Sequence, residues 1–318
     1  MLIQFLGAMR VVFMGTPEFA LPTLKGLYEG GYRLVGVFTR PDKPAGRGRQ
    51  PTPSPVKELA LRLGLPVYQP ATLRRPAAVE LLRSLKPDVV VVAAYGLLLP
   101  REVLEVPPHG CLNVHPSLLP RWRGPSPIPF AILAGDEFTG VTVILMDEGM
   151  DTGPILARSE PVPIGPEDTA ATLTPKLADI GARLLLETLP RWAAGQIKPE
   201  PQDDSQATYS RLLKKEDGVI DWGRSAVEIW RQVRAFDPWP GAFTRWEGKL
   251  LKVLACRPLP DNSPEPPGTV VGLDAGAAVQ TGNGLLKLER VQLEGRRPVG
   301  IEEFLRGYPR FIGSRLPG

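Results

Sequence analysis

The sequence predicts a two-part α/β protein: a Rossmann-like, doubly wound N-terminal domain followed by a small OB-like β-barrel. Three observations predict it. Short β-branched runs alternate with amphipathic helical stretches through the first two thirds of the chain, the pattern of parallel strands joined by right-handed crossover helices. One of those runs, Val89–Val92, is unbroken valine, as a strand buried on both faces requires. After a polar, proline-bearing stretch (KPEPQDDSQA), short β-rich segments follow one another between Gly and Pro clusters.

Taken in order, Arg10 to Phe13 reads as a strand closed by Gly15. Thr16, Pro17 and Glu18 then supply an N-cap, a first-turn proline and a first-turn acid for a helix reaching Glu29. Leu34–Thr39 is a strand, Pro55–Leu63 and Ala77–Leu85 are helices, and Asp88–Ala94, Cys111–His115 and Gly140–Met146 are strands. From Asp168 to Leu189 the residues Leu173, Leu177, Ile180 and Leu184 recur at helical spacing, with a break or kink expected at Pro190 and a short continuation to Ile197. These readings bound a first domain at 1–197, a linker at 198–208 and a second domain at 209–318. The second domain opens with a helix from Ser225 to Phe236. Strands follow at Ala242–Trp246, Leu250–Cys256, Thr269–Leu273, Ala277–Thr281 and Leu285–Leu293.

Composition narrows the class. A chain of 318 residues, 43% hydrophobic and 23% charged, is globular, and its 33 glycines and 37 prolines follow no short period, which excludes collagen. The longest apolar run, Val89–Leu99, is about half of the ~20 residues that span a bilayer, so no membrane association is expected. The N-terminal stretch has no basic residue before Arg10 and does not read as a secretory signal, so a cytoplasmic location is expected. Two distant cysteines, Cys111 and Cys256, offer neither a disulfide framework nor a thiolate metal site and read as reduced core thiols. The formal charge of +4 resides wholly in residues 211–318, a bias that suits a polyanionic partner and equally a solvated surface.

The chemistry is read from what is scarce. The first strand-to-helix turn is G-T-P-E-F, without the glycines that admit a dinucleotide pyrophosphate, so NAD is not expected. No Walker loop or H-E-x-x-H occurs, and no metal site is expected. Only His109 and His115 can serve a mechanism that needs an imidazole. His115 alternates with Asn113 along one strand, so both project to the same side at its C-terminal end, where open α/β sheets keep their sites. Asp147, Glu148 and Asp151 follow in a Gly-rich loop that can bring a carboxylate to that imidazole. An amide donor, an imidazole and a carboxylate suit attack on a carbonyl. The same residues also fit an ordinary strand end and an ordinary capped turn. Ser117 and Ser126 lie nearby but not in G-x-S-x-G, which disfavours a covalent serine mechanism.

At these residues the chain resembles the folate-dependent formyltransferases. The motifs are FMGTPEFA (13–20), FTRPDKPAGRGRQPTPSPVK (38–57), AAYGLLLP (93–100), NVHPSLLPRWRG (113–124), GVTVILMDEGMDTGP (140–154) and RAFDPWPGAFT (234–244). The resemblance implies a formyl group passing from 10-formyltetrahydrofolate to the α-amine of methionine on initiator tRNA, in a monomeric enzyme. It assigns Asn113 to the carbonyl oxygen, His115 to the oxyanion and its proton, and Asp151 to fixing His115 and relaying protons. By the same carry-over, Ser117, Leu118, Leu119 and Pro120 border the folate, and Tyr95, Gly96, Leu97 and Leu98 form its pterin-side loop. The basic loop with Arg40, Lys43, Arg47 and Arg49 meets the tRNA acceptor arm, and the positive C-terminal domain, with Trp222, Trp230, Trp239 and Trp246, holds the tRNA body. Residues 1–8 precede the family's usual start, with Met9 an alternative initiator, and Pro129-Phe130 replaces a more polar pair. Two other readings are a non-catalytic RNA-binding protein and a different folate-dependent formyltransferase or deformylase.

Overall fold

The valine run Val89–Val92 lies inside a seven-stranded sheet, each of its residues at most 4% exposed. The computed structural model describes residues 9–45 and 50–317, which divide into two units. The first holds the chain to Pro127, Phe138–Pro163 and Thr174–Arg211; the second holds Ile128–Glu137, Ile164–Leu173 and the chain from Leu212.

In the first unit the strands are β1 (Arg10–Gly15), β2 (Arg33–Phe38), β3 (Val67–Tyr68), β4 (Val89–Ala93), β5 (Cys111–His115), β6 (Thr142–Leu145) and β7 (Ile155–Arg158), in the order β7-β6-β5-β4-β1-β2-β3. From β5 to β3 every pairing is parallel. The expectation of a wholly parallel sheet is corrected at the other edge, because β6 runs antiparallel to β5 and β7 antiparallel to β6. The chain from β6 to β7 is a short loop rather than a crossover helix, and so short a connection can only reverse direction.

Helices α1 (Leu21–Glu29), α2 (Pro55–Arg62) and α3 (Pro76–Ser84) supply the crossovers. Ser54 caps α2, its hydroxyl accepting from Lys57 N at 3.1 Å, with Pro55 as the first residue. The N-cap role expected of Thr16 is not taken up: its hydroxyl donates to Tyr95 O at 2.9 Å and ties the end of β1 to the loop after β4. A long helix, Ala170–Ala193, runs through Pro190 without the expected break. Its Gly181 approaches Val114 and Val141 so closely that a β-carbon would collide with Val114, which sets the helix directly on the sheet.

The second unit contains a helix, Ala226–Ala235, held at its start by a reciprocal capping box between Ser225 and Glu228. It packs on an antiparallel sheet ordered Ala242–Trp246, Lys249–Leu259, Leu285–Leu293, Gly276–Gln280, Val270–Leu273, with Val299–Gly300 also pairing to Leu285–Leu293. The five expected strands are present, and the two-residue sixth was too short to leave a periodic signal. Trp246 meets Phe304, Tyr308 and Phe311 edge-on at 5.3–5.8 Å, and Trp222 is fully buried, whereas Trp239 is 56% exposed. Among the described residues no helix is long and apolar enough to cross a membrane.

Both cysteines are buried and unpaired, and burial pushes the Cys111 thiol up to about 12 and that of Cys256 upward as well. Neither thiol is expected to react with a maleimide in native protein between pH 7 and 9, and both react once denaturant unfolds the chain. Mass spectrometry of the adducts checks this.

Candidate functional site

Strand β5 is the base of the site. Its register places Asn113 beside Val92 of β4 and Ile144 of β6, and His115 beside Thr142. The two-residue alternation of a strand sends both polar side chains to one face, and both meet the carboxylate of Asp151. Asn113 Nδ2 donates to Asp151 Oδ1 at 3.1 Å, and His115 Nδ1 lies 3.6 Å from the same oxygen. The other oxygen, Oδ2, accepts the backbone N–H of Gly124 at 2.8 Å. His115 Nε2 is 2.9 Å from the carbonyl of Trp122. A carbonyl only accepts, so Nε2 carries a proton and Nδ1 is the nitrogen turned toward Asp151. The imidazole is 4% exposed and the Asp151 side chain 15%.

The loop between β6 and β7 explains why Asp151, and not its neighbours, reaches the ring. Asp147 Oδ1 accepts Gly149 N at 3.0 Å and Thr152 Oγ1 at 2.6 Å and is spent on the turn. Glu148 is exposed, 3.8 Å from Arg101. Asp151 has φ +56°, a left-handed conformation that Asp tolerates better than most residues. Two residues later a β-carbon at Gly153 would strike the carbonyl oxygen of Leu145, so only glycine lets the loop close against the end of β6.

A second set of contacts comes from the polar segment expected to be a linker. Gln202 Nε2 donates to the carbonyls of Asp151 and Gly153, both at 2.8 Å. Its Oε1 accepts from Arg123 Nε at 3.1 Å and Nη2 at 2.9 Å. Arg123 is 1% exposed and also donates to Asp204 Oδ1 at 2.7 Å and Tyr209 Oη at 3.3 Å, while its backbone pairs with Thr208 and Ser210. Sequence reasoning missed both residues. Composition marks 198–208 as polar and open, and nothing in periodicity reports that a glutamine there meets a buried arginine.

The residues expected at the folate side line the same strand ends. Tyr95, Gly96, Leu97 and Leu98 follow β4 after Ala94, with Leu98 exposed and Tyr95 buried. The Tyr95 hydroxyl, pushed above its ordinary value by burial, and Arg40 Nε are buried polar atoms with no hydrogen-bond partner among the described residues. Arg40 Nη1 reaches Gly96 O at 3.4 Å. Ser117 and Leu119 face inward instead: Ser117 Oγ donates to Arg121 O, and Thr142 Oγ1 links Ser117 O to Leu119 N. Leu118 and Pro120 are half-buried. Pro129 and Phe130 belong to the helix Pro127–Ala134.

Of the basic residues, Lys43 is exposed, while Arg47 and Arg49 lie outside the described residues. Asp42 is held between Lys57 and Gln69, which donate to its two oxygens, and these hydrogen bonds set its carboxyl below the usual range. A depressed carboxylate contributes stability above its unfolded value and loses it as pH falls through the folded one. Amide protection at Thr39 and Lys57, whose N–H groups are hydrogen-bonded beside this contact, is therefore expected to persist from neutral pH and to fall only below about pH 4. Exchange corrected for intrinsic rates checks this, and Asp42→Asn should abolish the pH dependence. Among the described residues no group of three or more His, Cys, Asp or Glu is placed to hold a metal ion.

Residues 9–189 match the family model described as formyl transferase, and residues 212–309 match the one described as formyl transferase, C-terminal domain. Relatives named methionyl-tRNA formyltransferase include one from Roseiflexus castenholzii, 52% identical over 98% of this chain and 100% of its own length. Another, from Methylococcus capsulatus, is 46% identical over 97% of this chain and 99% of its own. Among solved structures, an N-formyltransferase from Helicobacter canadensis in complex with folinic acid and dTDP-3-aminofucose is similar in fold. Its TM-score is 0.66 at 17% identity, over 88% of this chain and 99% of that one. HypX from Aquifex aeolicus in complex with tetrahydrofolic acid has a TM-score of 0.63 at 19% identity, over 96% of this chain and 48% of that one.

Proposed function

The chain belongs to the formyl transferase family, and from that premise we propose that it transfers a formyl group from 10-formyltetrahydrofolate to the α-amine of methionyl initiator tRNA. The observation that carries the reading is the meeting of Asn113 and His115 on one oxygen of Asp151 at the end of β5, in a chain similar over its full length to methionyl-tRNA formyltransferases.

Asn113 has two N–H donors, of which Asp151 takes one; the second is the donor for the formyl oxygen. Negative charge gathers on that oxygen as the neutral amine adds, and a fixed donor in a partly buried site stabilises it without reorganisation. Because Nε2 of His115 is committed to Trp122 O, proton exchange takes place at Nδ1, beside Asp151. Across the reaction a carbon–nitrogen bond forms to the α-amine and the bond to the donor nitrogen breaks. The proton lost by the amine ends on that donor nitrogen, and His115 with Asp151 carries it.

The tetrahydrofolate donor fits this edge because Tyr95, beside the strand end, buries a hydroxyl with no hydrogen-bond partner among the described residues. Tyr95–Leu98 with Leu118 and Pro120 would hold it, and when bound it supplies a formyl group on nitrogen, activated for transfer. Arg40 and Lys43, with Arg47 and Arg49, supply positive charge for the acceptor phosphates. The second unit, read as an OB-like barrel, holds the tRNA body; the enzyme acts as a cytoplasmic monomer. Mass spectrometry of formyl incorporation into charged initiator tRNA tests the proposal. Product is expected with initiator and not with elongator methionyl-tRNA; consumption of the donor without tRNA would favour a deformylase instead.

A further inference from the structure

The geometry points to Gln202 as a positioning residue for Asp151, oriented in turn by Arg123. Asp151 sits in a left-handed conformation inside a Gly-rich loop, and its two carboxylate oxygens are both engaged, so its own side chain cannot hold its backbone. Gln202 does that from outside. One carboxamide bridges the carbonyls of Asp151 and Gly153, residues on either side of Thr152, and thereby fixes the turn that aims the carboxylate at His115. A rotation of the Gln202 amide by half a turn would place its N–H groups against the Arg123 donors. The guanidinium therefore selects the one orientation in which both N–H groups face the loop.

All four hydrogen-bonding positions of the carboxamide are used, two as donor and two as acceptor. Arg123 is buried to 1% and held by Asp204 and Tyr209 as well as by its own backbone, so the orienting cation is itself fixed. The chain of contacts runs Arg123, Gln202, the Asp151 backbone, the Asp151 carboxylate and His115. Nothing in it touches a reacting atom except at its end. A shift of the carboxylate by a fraction of an ångström is felt as lost turnover rather than lost binding.

This assignment rests on Asp151 acting on His115 as proposed above, and the experiment separates the two. Full-length Gln202→Glu, Gln202→Leu and Asp151→Ala are compared by steady-state formyl transfer with 10-formyltetrahydrofolate and methionyl initiator tRNA, after thermal melting has confirmed their fold. Glutamate keeps acceptors for Arg123 but has no N–H for the two carbonyls. Both Gln202 variants are expected to lose about tenfold to a hundredfold in kcat, with KM for either substrate within about twofold. Combined with Asp151→Ala, neither is expected to lower kcat further. The ring resonances of His115 are expected to move in both variants while those of His109 stay. Wild-type turnover in Gln202→Glu would mean that Gln202 merely anchors Arg123, and would overturn the assignment with the role of Asp151 intact. Losses that multiply in the double variants would overturn it too. Near wild-type turnover in Asp151→Ala would remove the proposed role of Asp151 and this one with it.

Discussion

His115→Ala is expected to lower kcat by about 10² to 10⁴ while leaving methionyl-tRNA affinity within about twofold. The ring is 4% exposed and donates through Nε2 to Trp122 O, so it offers substrate only Nδ1, the nitrogen beside Asp151. Removing it deletes the proton carrier and leaves the donor amide of Asn113 in place. Residual turnover in the variant is therefore expected to come from that amide and from binding. His115→Asn tests the same point more finely. It restores an N–H of similar reach without a basic ring nitrogen to take up a proton, and is expected to remain as slow as alanine. Single-turnover transfer measured beside tRNA binding separates the two effects. Lost affinity with intact turnover would reject the role given to this ring.

Asp151→Asn is expected to be as damaging as Asp151→Ala, with kcat down about 10² to 10³. The usual argument for asparagine as a gentle replacement fails here because both carboxylate oxygens accept, one from Asn113 Nδ2 and the other from Gly124 N. An asparagine NH₂ in place of Oδ1 meets the Nδ2 donor of Asn113, and in place of Oδ2 it leaves the buried Gly124 N–H without an acceptor, at a cost of about 1 to 3 kcal/mol. The variant is therefore expected to melt below wild type, and more so than Asp147→Asn, which changes an exposed turn. Thermal denaturation of the three variants checks the order. Turnover of Asp151→Asn close to wild type would show that the carboxylate charge and its second acceptor are both dispensable.

Much of this was legible in the sequence because it depends on local period. The valines of β4, the alternation of Asn113 with His115 and the amphipathic helix opening at Ser225 follow from neighbouring residues alone. What could not be read depends on approach through space. The reversal of β6 is set by its pairing with β5 across the sheet, and β7, four residues emerging from Gly-Pro, is too short to show its partner. Thr16 looked like an N-cap because capping residues are recognised by position, while its hydroxyl is taken by a carbonyl 79 residues away. Pro190 is a helix breaker by local rule, yet the helix around it continues to Ala193, packed along its length by Leu173, Leu177, Leu185 and Leu189. Among the three candidate acids, residue type and spacing leave the choice open and the resemblance points to Asp151; the backbone geometry of the loop supplies the physical reason.

The central claim is that imidazole and carboxylate work as one unit, and the double variant His115→Ala/Asp151→Ala tests it most directly. Groups acting together lose their joint effect once, so single-turnover formyl transfer by the double variant is predicted to match His115→Ala alone within about threefold. Losses that multiply, with the double variant slower by the product of the two single effects, would contradict it.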